Sequence, residues 1–170
     1  MLSYTGIGSR NTPQDILDLI DLIALKLEKN GYILRSGGAN GADLAFEWNV
    51  SHKEIYLPWR NFNGSSSSFT IPSIEAFNMA KPHHPNWDNL SPAVKKLMAR
   101  NAHQVLGRDL NDASQFVLCW TPDGCENGET RSSRTGGTGL AIALASSLNI
   151  PVYNLANAET LDRLRDYVGV

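Results

Sequence analysis

Short apolar runs alternate along the chain with stretches whose apolar residues recur every three or four positions, the pattern of strands separated by helices. Leu2-Ser3-Tyr4-Thr5-Gly6-Ile7 reads as a first strand running into glycine. Thr12-Pro13-Gln14-Asp15 then supplies a cap residue, a proline at the first helical position and an acid three residues after the cap. Ile16, Leu19, Ile20, Ile23 and Leu27 follow at helical spacing, and Asn30-Gly31 stops the helix. Residues 32–35 predict a second strand, 36–43 a glycine-rich turn into a helix reaching about Asn49, and 54–57 a third strand closed by Pro58.

Between Trp59 and Leu90 no period persists. Ser65-Ser66-Ser67-Ser68 and Lys81-Pro82-His83-His84-Pro85 lie there, and the stretch 59–90 is expected to be a long irregular loop. Ser91-Pro92 restarts a helix bearing Val94, Leu97, Met98, Ala102 and Val105 and ending near Gly107. Residues 115–120 predict a fourth strand, 140–148 an apolar helix and 150–154 a fifth strand, with Leu161, Leu164 and Val168 marking a last helix. Alternating strands and helices predict a parallel sheet covered on both faces. The expectation is one domain over 1–170 with a doubly wound, Rossmann-like three-layer α/β/α fold. Its five parallel strands take the order 3-2-1-4-5, which puts the loops after strands one and four at the switch point, where ligands sit.

Composition narrows the class. A chain of 170 residues with 42% hydrophobic and 19% charged residues suits a globular protein, and excludes disordered, collagen-like and disulfide-framework classes. No apolar run approaches the roughly 18 residues of a spanning helix, and no basic-then-apolar leader opens the chain. A cytoplasmic protein without a membrane partner is therefore expected. Neither Cys119 nor Cys125 belongs to a Cys-x-x-Cys pair, and Cys119, inside an apolar run, is expected to pack as a small hydrophobe. The net charge of −2 argues against a surface that grips nucleic acid all over. Residues 51–110, however, carry seven Lys/Arg against four acids, a local +3 that leaves −5 for the rest. That window holds all four histidines, but His83, His84 and His103 with Cys125 lack the spacing of a zinc site, so no metal and no cofactor is expected.

The candidate chemistry lies in three glycine loops: Gly6-Ile7-Gly8-Ser9-Arg10, Ser36-Gly37-Gly38-Ala39-Asn40-Gly41 and Thr135-Gly136-Gly137-Thr138-Gly139. Glycine lets backbone approach a ligand, and a helix N-terminus directly after such a loop offers unpaired N–H groups to phosphate. No Gly-Lys-Ser/Thr follows any of them, and the first loop lacks the third glycine of a dinucleotide fingerprint. P-loop hydrolysis and hydride transfer are disfavoured.

These strings, and above all Ser36-Gly37-Gly38-Ala39-Asn40-Gly41-Ala42-Asp43, resemble the SLOG superfamily. It embraces the Rossmann-like core of the DNA-processing protein DprA (Smf) and the LOG nucleotide hydrolases, and the small phage and bacterial DprA-like proteins are similar in size. The resemblance covers nearly the whole chain and implies binding of nucleotides, nucleotide-derived signals or single-stranded nucleic acid, with homo-oligomers common. LOG hydrolases carry a catalytic glutamate where Ala143 stands here, and DprA proper has additional segments flanking its core.

The leading expectation is a module that senses or sequesters a phosphorylated nucleoside or nucleotide-derived ligand. The alternatives are N-glycosidic hydrolysis of LOG type and DprA-like binding of single-stranded DNA; whether the protein is an enzyme is left open. Expected ligand-binding residues are Gly8, Ser9, Arg10, Ser36, Gly37, Gly38, Ala39, Asn40, Asp43, Arg100, Asn101, Trp120, Thr121, Gly136, Gly137, Thr138 and Gly139. Arg10 suits a charge-assisted bond to phosphate, Trp120 a stacked base, and Asp43 a dipole-favoured position, a contact to a ribose hydroxyl or a base, or a catalytic carboxylate. Val94, Leu97, Met98 and Val105 are expected to leave apolar surface for a second copy.

Overall fold

The computed structural model describes residues 2–170. In chain order its regular elements are β1 (Leu2–Gly8), α1 (Gln14–Lys29), β2 (Tyr32–Ser36), α2 (Ala42–Glu47), β3 (Lys53–Ile55), α3 (Ile74–Ala80), α4 (Pro92–Leu106), β4 (Val117–Trp120), α5 (Thr138–Ser147), β5 (Val152–Asn154) and α6 (Ala158–Val168). The five strands are all parallel and ordered β3-β2-β1-β4-β5, the doubly wound arrangement the sequence predicts. The winding reverses between β1 and β4, where Gly8 lies opposite Trp120.

The two faces follow from alternation along β1. Tyr4 points into a core that holds Ile16, Ile20 and Ile23 of α1 and Phe46 of α2, with Leu161 and Leu164 of α6 packed against it. Ile7 points the other way, against Ala99, Ala102 and Val105 of α4 and Ala141, Ile142 and Ala145 of α5. Helix α5 is buried from Gly139 to Ala145, which explains why its sequence shows no polar face. Ser91 caps α4 by accepting from the Val94 amide at 3.2 Å, and Gly107 closes that helix at φ +79°. Arg35, 2% exposed, straps β2 to its surroundings through Glu54 at 3.1 Å and Asp112 at 2.8 Å.

Several local expectations need correction. Thr12 does not cap α1: its hydroxyl donates to the Ser9 carbonyl at 2.7 Å, and Pro13 takes the cap position without a side-chain bond. Helix α2 stops at Glu47, with Trp48 as its C-cap, and β3 lies one to two residues earlier than the apolar run suggests, because Tyr56 instead pairs with Phe69. The stretch 59–90 is not irregular throughout. Ser73 caps α3 by accepting from the Ala76 amide, and Ala76 and Ala80 bury its inner face. The nearby His103 ring accepts from the Ser73 amide at Nε2, so its Nδ1 carries the proton and donates to the Gly107 carbonyl. The surplus apolar surface expected on α4 is absent. Val105 is fully buried, Met98 lies in a small core with Ala80, Trp87 and Leu140, and Val94 and Leu97 pack against that core. No helix among the described residues is long and apolar enough to cross a membrane.

Candidate functional site

At the carboxyl edge of the sheet, beside the switch point, a cavity of about 370 Å³ opens between four segments. They are the loop from Ile7 to Asn11, the Ala39–Asp43 turn, the α4 face carrying Leu97, Met98, Arg100, Asn101 and Gln104, and the approach to α5 from Arg134 to Thr138.

The first two glycine loops are knotted together. The Ser9 carbonyl accepts from the Thr12 hydroxyl and, at 3.3 Å, from the Ala42 amide. Gly41, at φ +84°, passes so close that a Cβ there would lie 2.5 Å from the Ser9 carbonyl oxygen. Asp43, 4% exposed, accepts from the Gly8 amide at 3.3 Å and from the Ala39 amide at 3.2 Å. Two amides expected to cradle a phosphate are thus already bonded to the protein's own carboxylate. Burial pushes the Asp43 carboxyl up to about 6, against the pull of the Arg100 charge and of these two amides.

Arg100 is a strut rather than an arm reaching over the cavity. Its Nε donates to Asn101 Oδ1 at 3.0 Å and to the Leu97 carbonyl at 3.3 Å, and its Nη1 donates to the Gly37 and Tyr56 carbonyls. Burial lowers its pKa to about 10, with Asp43 opposing that shift. Asn101 in turn donates to the Gly137 carbonyl at 3.0 Å, tying α4 to the third glycine loop.

That third loop keeps free donors. Gly139 and Leu140 turn back onto the Gly136 and Gly137 carbonyls, while the amides of Gly137 and Thr138, at the start of the ten-residue α5, have no partner among the described residues. Arg10 and Arg134 are exposed and line the same cavity, and neither belongs to any ion pair among the described residues.

The segment leading to this loop hangs on Asp123. Its carboxylate accepts from the hydroxyls of Thr121 at 2.8 Å, Ser132 at 2.7 Å and Thr135, and from the Cys125 amide at 3.2 Å. Partial burial works against the charge, but these four donors outweigh it and hold the carboxyl at about 2. Asp123→Ala is expected to lower stability by about 2 kcal/mol, the worth of charge-assisted bonds on a partly exposed group. The carboxylate's contribution is present above pH 4 and fades as pH falls towards 2, so urea unfolding at pH 7 and pH 2.5 should show the deficit shrinking in acid.

Ten of the seventeen expected residues line the cavity: Gly8, Ser9, Arg10, Ala39, Asp43, Arg100, Asn101, Gly136, Gly137 and Thr138. Seven do not. Ser36 is wholly buried, with its hydroxyl unpartnered. Gly37 lies under Gln104 and Arg100, and Gly38, at φ +71°, faces Leu57 and Ile55 rather than the cavity. Asn40 accepts from Asn63 at 2.9 Å. Trp120 packs, half-buried, against the α1 face core, Thr121 is bonded to Asp123 and Asn154, and Gly139 sits beneath Arg131. Ala143 lies within the buried part of α5 and does not line the cavity. Sequence reasoning missed Asn11, Gln104 and Arg134. Gln104 was within reach, since it follows Arg100 by one helical turn and so shares its face.

No family model matches the chain, and no curated protein matches it. A solved structure similar to it is that of DNA processing protein A from Helicobacter pylori, described for its single-stranded DNA binding mode. The two are 14% identical, with 99% of this chain and 80% of that one covered and a TM-score of 0.42. The strand order given above, not this likeness, defines the fold.

Proposed function

We propose that the protein is a SLOG-type module that binds a phosphorylated nucleoside or nucleotide-derived ligand, with the phosphate at the N-terminus of α5 between Arg10 and Arg134. The observation that carries this is the meeting of unbonded amides at Gly137 and Thr138 with two unpaired arginines on one cavity. Helix dipole, N–H donors and guanidinium groups all favour an anion there. The volume, about 370 Å³, falls at the lower end of the range for small-molecule sites. Asp43 lies on the same cavity and directs negative charge away from the β1 side.

Titration calorimetry with adenosine monophosphate, ADP-ribose, a cyclic nucleotide and an oligothymidylate tests the reading. Arg10→Ala and Arg134→Ala are each expected to weaken the ligand that binds by about 1–3 kcal/mol, while the melting temperature stays nearly unchanged. Absence of saturable binding by the folded protein to every mononucleotide probe overturns it. Binding of the oligothymidylate alone, falling steeply with salt, would favour the DprA-like alternative instead.

A second reading rests on Asp43. It is the one carboxylate lining the cavity among the described residues, and its pKa near 6 suits a group that donates a proton at neutral pH. Release of free base from nucleoside monophosphates, followed by chromatography, separates hydrolysis from binding alone.

A further inference from the structure

Gln104 is 2% exposed, yet its carboxamide makes no hydrogen bond to any described residue. Its backbone carbonyl is well served, accepting from the Thr5 hydroxyl at 2.6 Å, so the residue is firmly placed while its polar end is left over. The fully buried side-chain atoms without a partner are Tyr4 Oη and Ser36 Oγ, so the Gln104 amide keeps a small opening to solvent, and its bonding is left to whatever enters the cavity. The side chain lines the cavity, one helical turn from Arg100. A second observation concerns the backbone beneath it: a Cβ on Gly37 would lie 2.1 Å from Gln104 Nε2 and 2.5 Å from Arg100 Nη1. Glycine at position 37 therefore keeps open the space the carboxamide occupies, rather than forming a phosphate cradle.

The cavity wall also sorts charge. Asp43 shares it with Gln104, whereas Arg134 precedes the loop that carries the free amides of α5, and Arg10 lines the same cavity. A phosphate is repelled from the first and drawn to the second. The group that meets Gln104 must then be polar but uncharged, and able to give and receive a hydrogen bond. A hydroxyl does both, and hydroxyls also donate to a carboxylate such as that of Asp43.

We propose that Gln104 is the specificity-determining residue of the cavity, reading the hydroxyls of a sugar ring whose phosphate is held at the α5 end. This inference rests on the phosphate-binding reading above. It deepens that reading from a phosphorylated nucleoside in general to one selected by its sugar hydroxyls. A site built to hydrogen-bond a hydroxyl rejects the analogue lacking it, because its own polar group is then left unpaired.

The test is calorimetry with three probes: adenosine monophosphate, its 2′,3′-dideoxy analogue and ribose 5-phosphate. The first two differ only in the sugar hydroxyls, and the third shows whether a sugar phosphate without a base suffices. The wild type is expected to prefer adenosine monophosphate over the dideoxy compound by tenfold or more. Gln104→Leu should reduce that preference to within twofold, mainly by weakening the hydroxylated ligand. Gln104→Glu, which keeps an acceptor but adds charge, serves as the second variant, and melting curves establish that each is folded. Retention of the full preference in both variants overturns the assignment of Gln104 while leaving phosphate binding intact. Equal wild-type affinity for the first two probes does the same. Failure of the wild type to bind any of the three overturns the phosphate-binding reading and this inference with it.

Discussion

Gly41→Val is expected to cost about 2–6 kcal/mol of stability, because two separate penalties fall on one residue. The backbone there stands at φ +84° and ψ −125°, a conformation that a β-branched side chain enters only with strain of about 1–3 kcal/mol. The new Cβ would also lie 2.5 Å from the Ser9 carbonyl oxygen and 2.7 Å from Arg10 Cα, both backbone atoms that cannot swing aside. Overpacking of that kind adds about 1–3 kcal/mol. Gly136 is the control. It too has positive φ, at +68°, but a Cβ there meets nothing within 4 Å, so Gly136→Ala should cost the backbone strain alone, about 1–3 kcal/mol. Urea unfolding of the two variants checks the difference, and equal losses would show that the knot between the first two loops is not what holds them.

This contrast also marks how far the sequence could be read. The strands and most helices were legible because their signals are local: the apolar spacing of α1, the Ser91-Pro92 start of α4, the glycine that closes it. The alternation of elements and right-handed crossovers are compatible with the order 3-2-1-4-5 without singling it out. The glycine strings pointed to the edge of the sheet where the cavity opens. What they could not tell was which glycines face the cavity and which face the protein. Gly37, Gly38 and Gly41 look alike in sequence, yet their absent side chains make room for Gln104, Leu57 and the Ser9 backbone respectively. The role of Asp43 was hidden for the same reason. An acid in the first turn of a helix signals a dipole contact, and only the folded chain shows its oxygens turned onto amides of two other loops. Arg134 escaped notice because it lies in the polar segment before the glycines, which Asp123 bends back towards the cavity through bonds to Ser132 and Thr135. Helix α3 was missed because Ile74 and Met79 are exposed, which blurs the period of a helix only seven residues long.

Asp43→Asn should remove part of the pH dependence of stability. The carboxyl ionises at about 6 in the folded chain, against about 4 for a free aspartate, because burial disfavours its charge. The folded state therefore holds this proton more tightly than the unfolded state does. Stability from this group is complete below about pH 4 and is lost as pH rises through 6, a swing of about 3 kcal/mol for a shift of this size. Asparagine does not titrate, so the stability of the variant relative to wild type should rise by roughly that amount between pH 4 and pH 7. The absolute sign at either end also depends on Arg100. With asparagine at position 43 its buried guanidinium loses the neighbouring charge, and only one of the two amides from Gly8 and Ala39 keeps a carbonyl acceptor. The attraction to Arg100 grows as Asp43 ionises, but it is already contained in the value of about 6 and so in the swing given above. The lost amide bond is independent of pH in this window and displaces the curve without changing its slope. Urea unfolding of both proteins at pH 4, 5, 6 and 7 isolates the slope. A difference that stays flat, or falls as pH rises, would mean that Asp43 is not buried as a proton-binding group on the wall of the cavity.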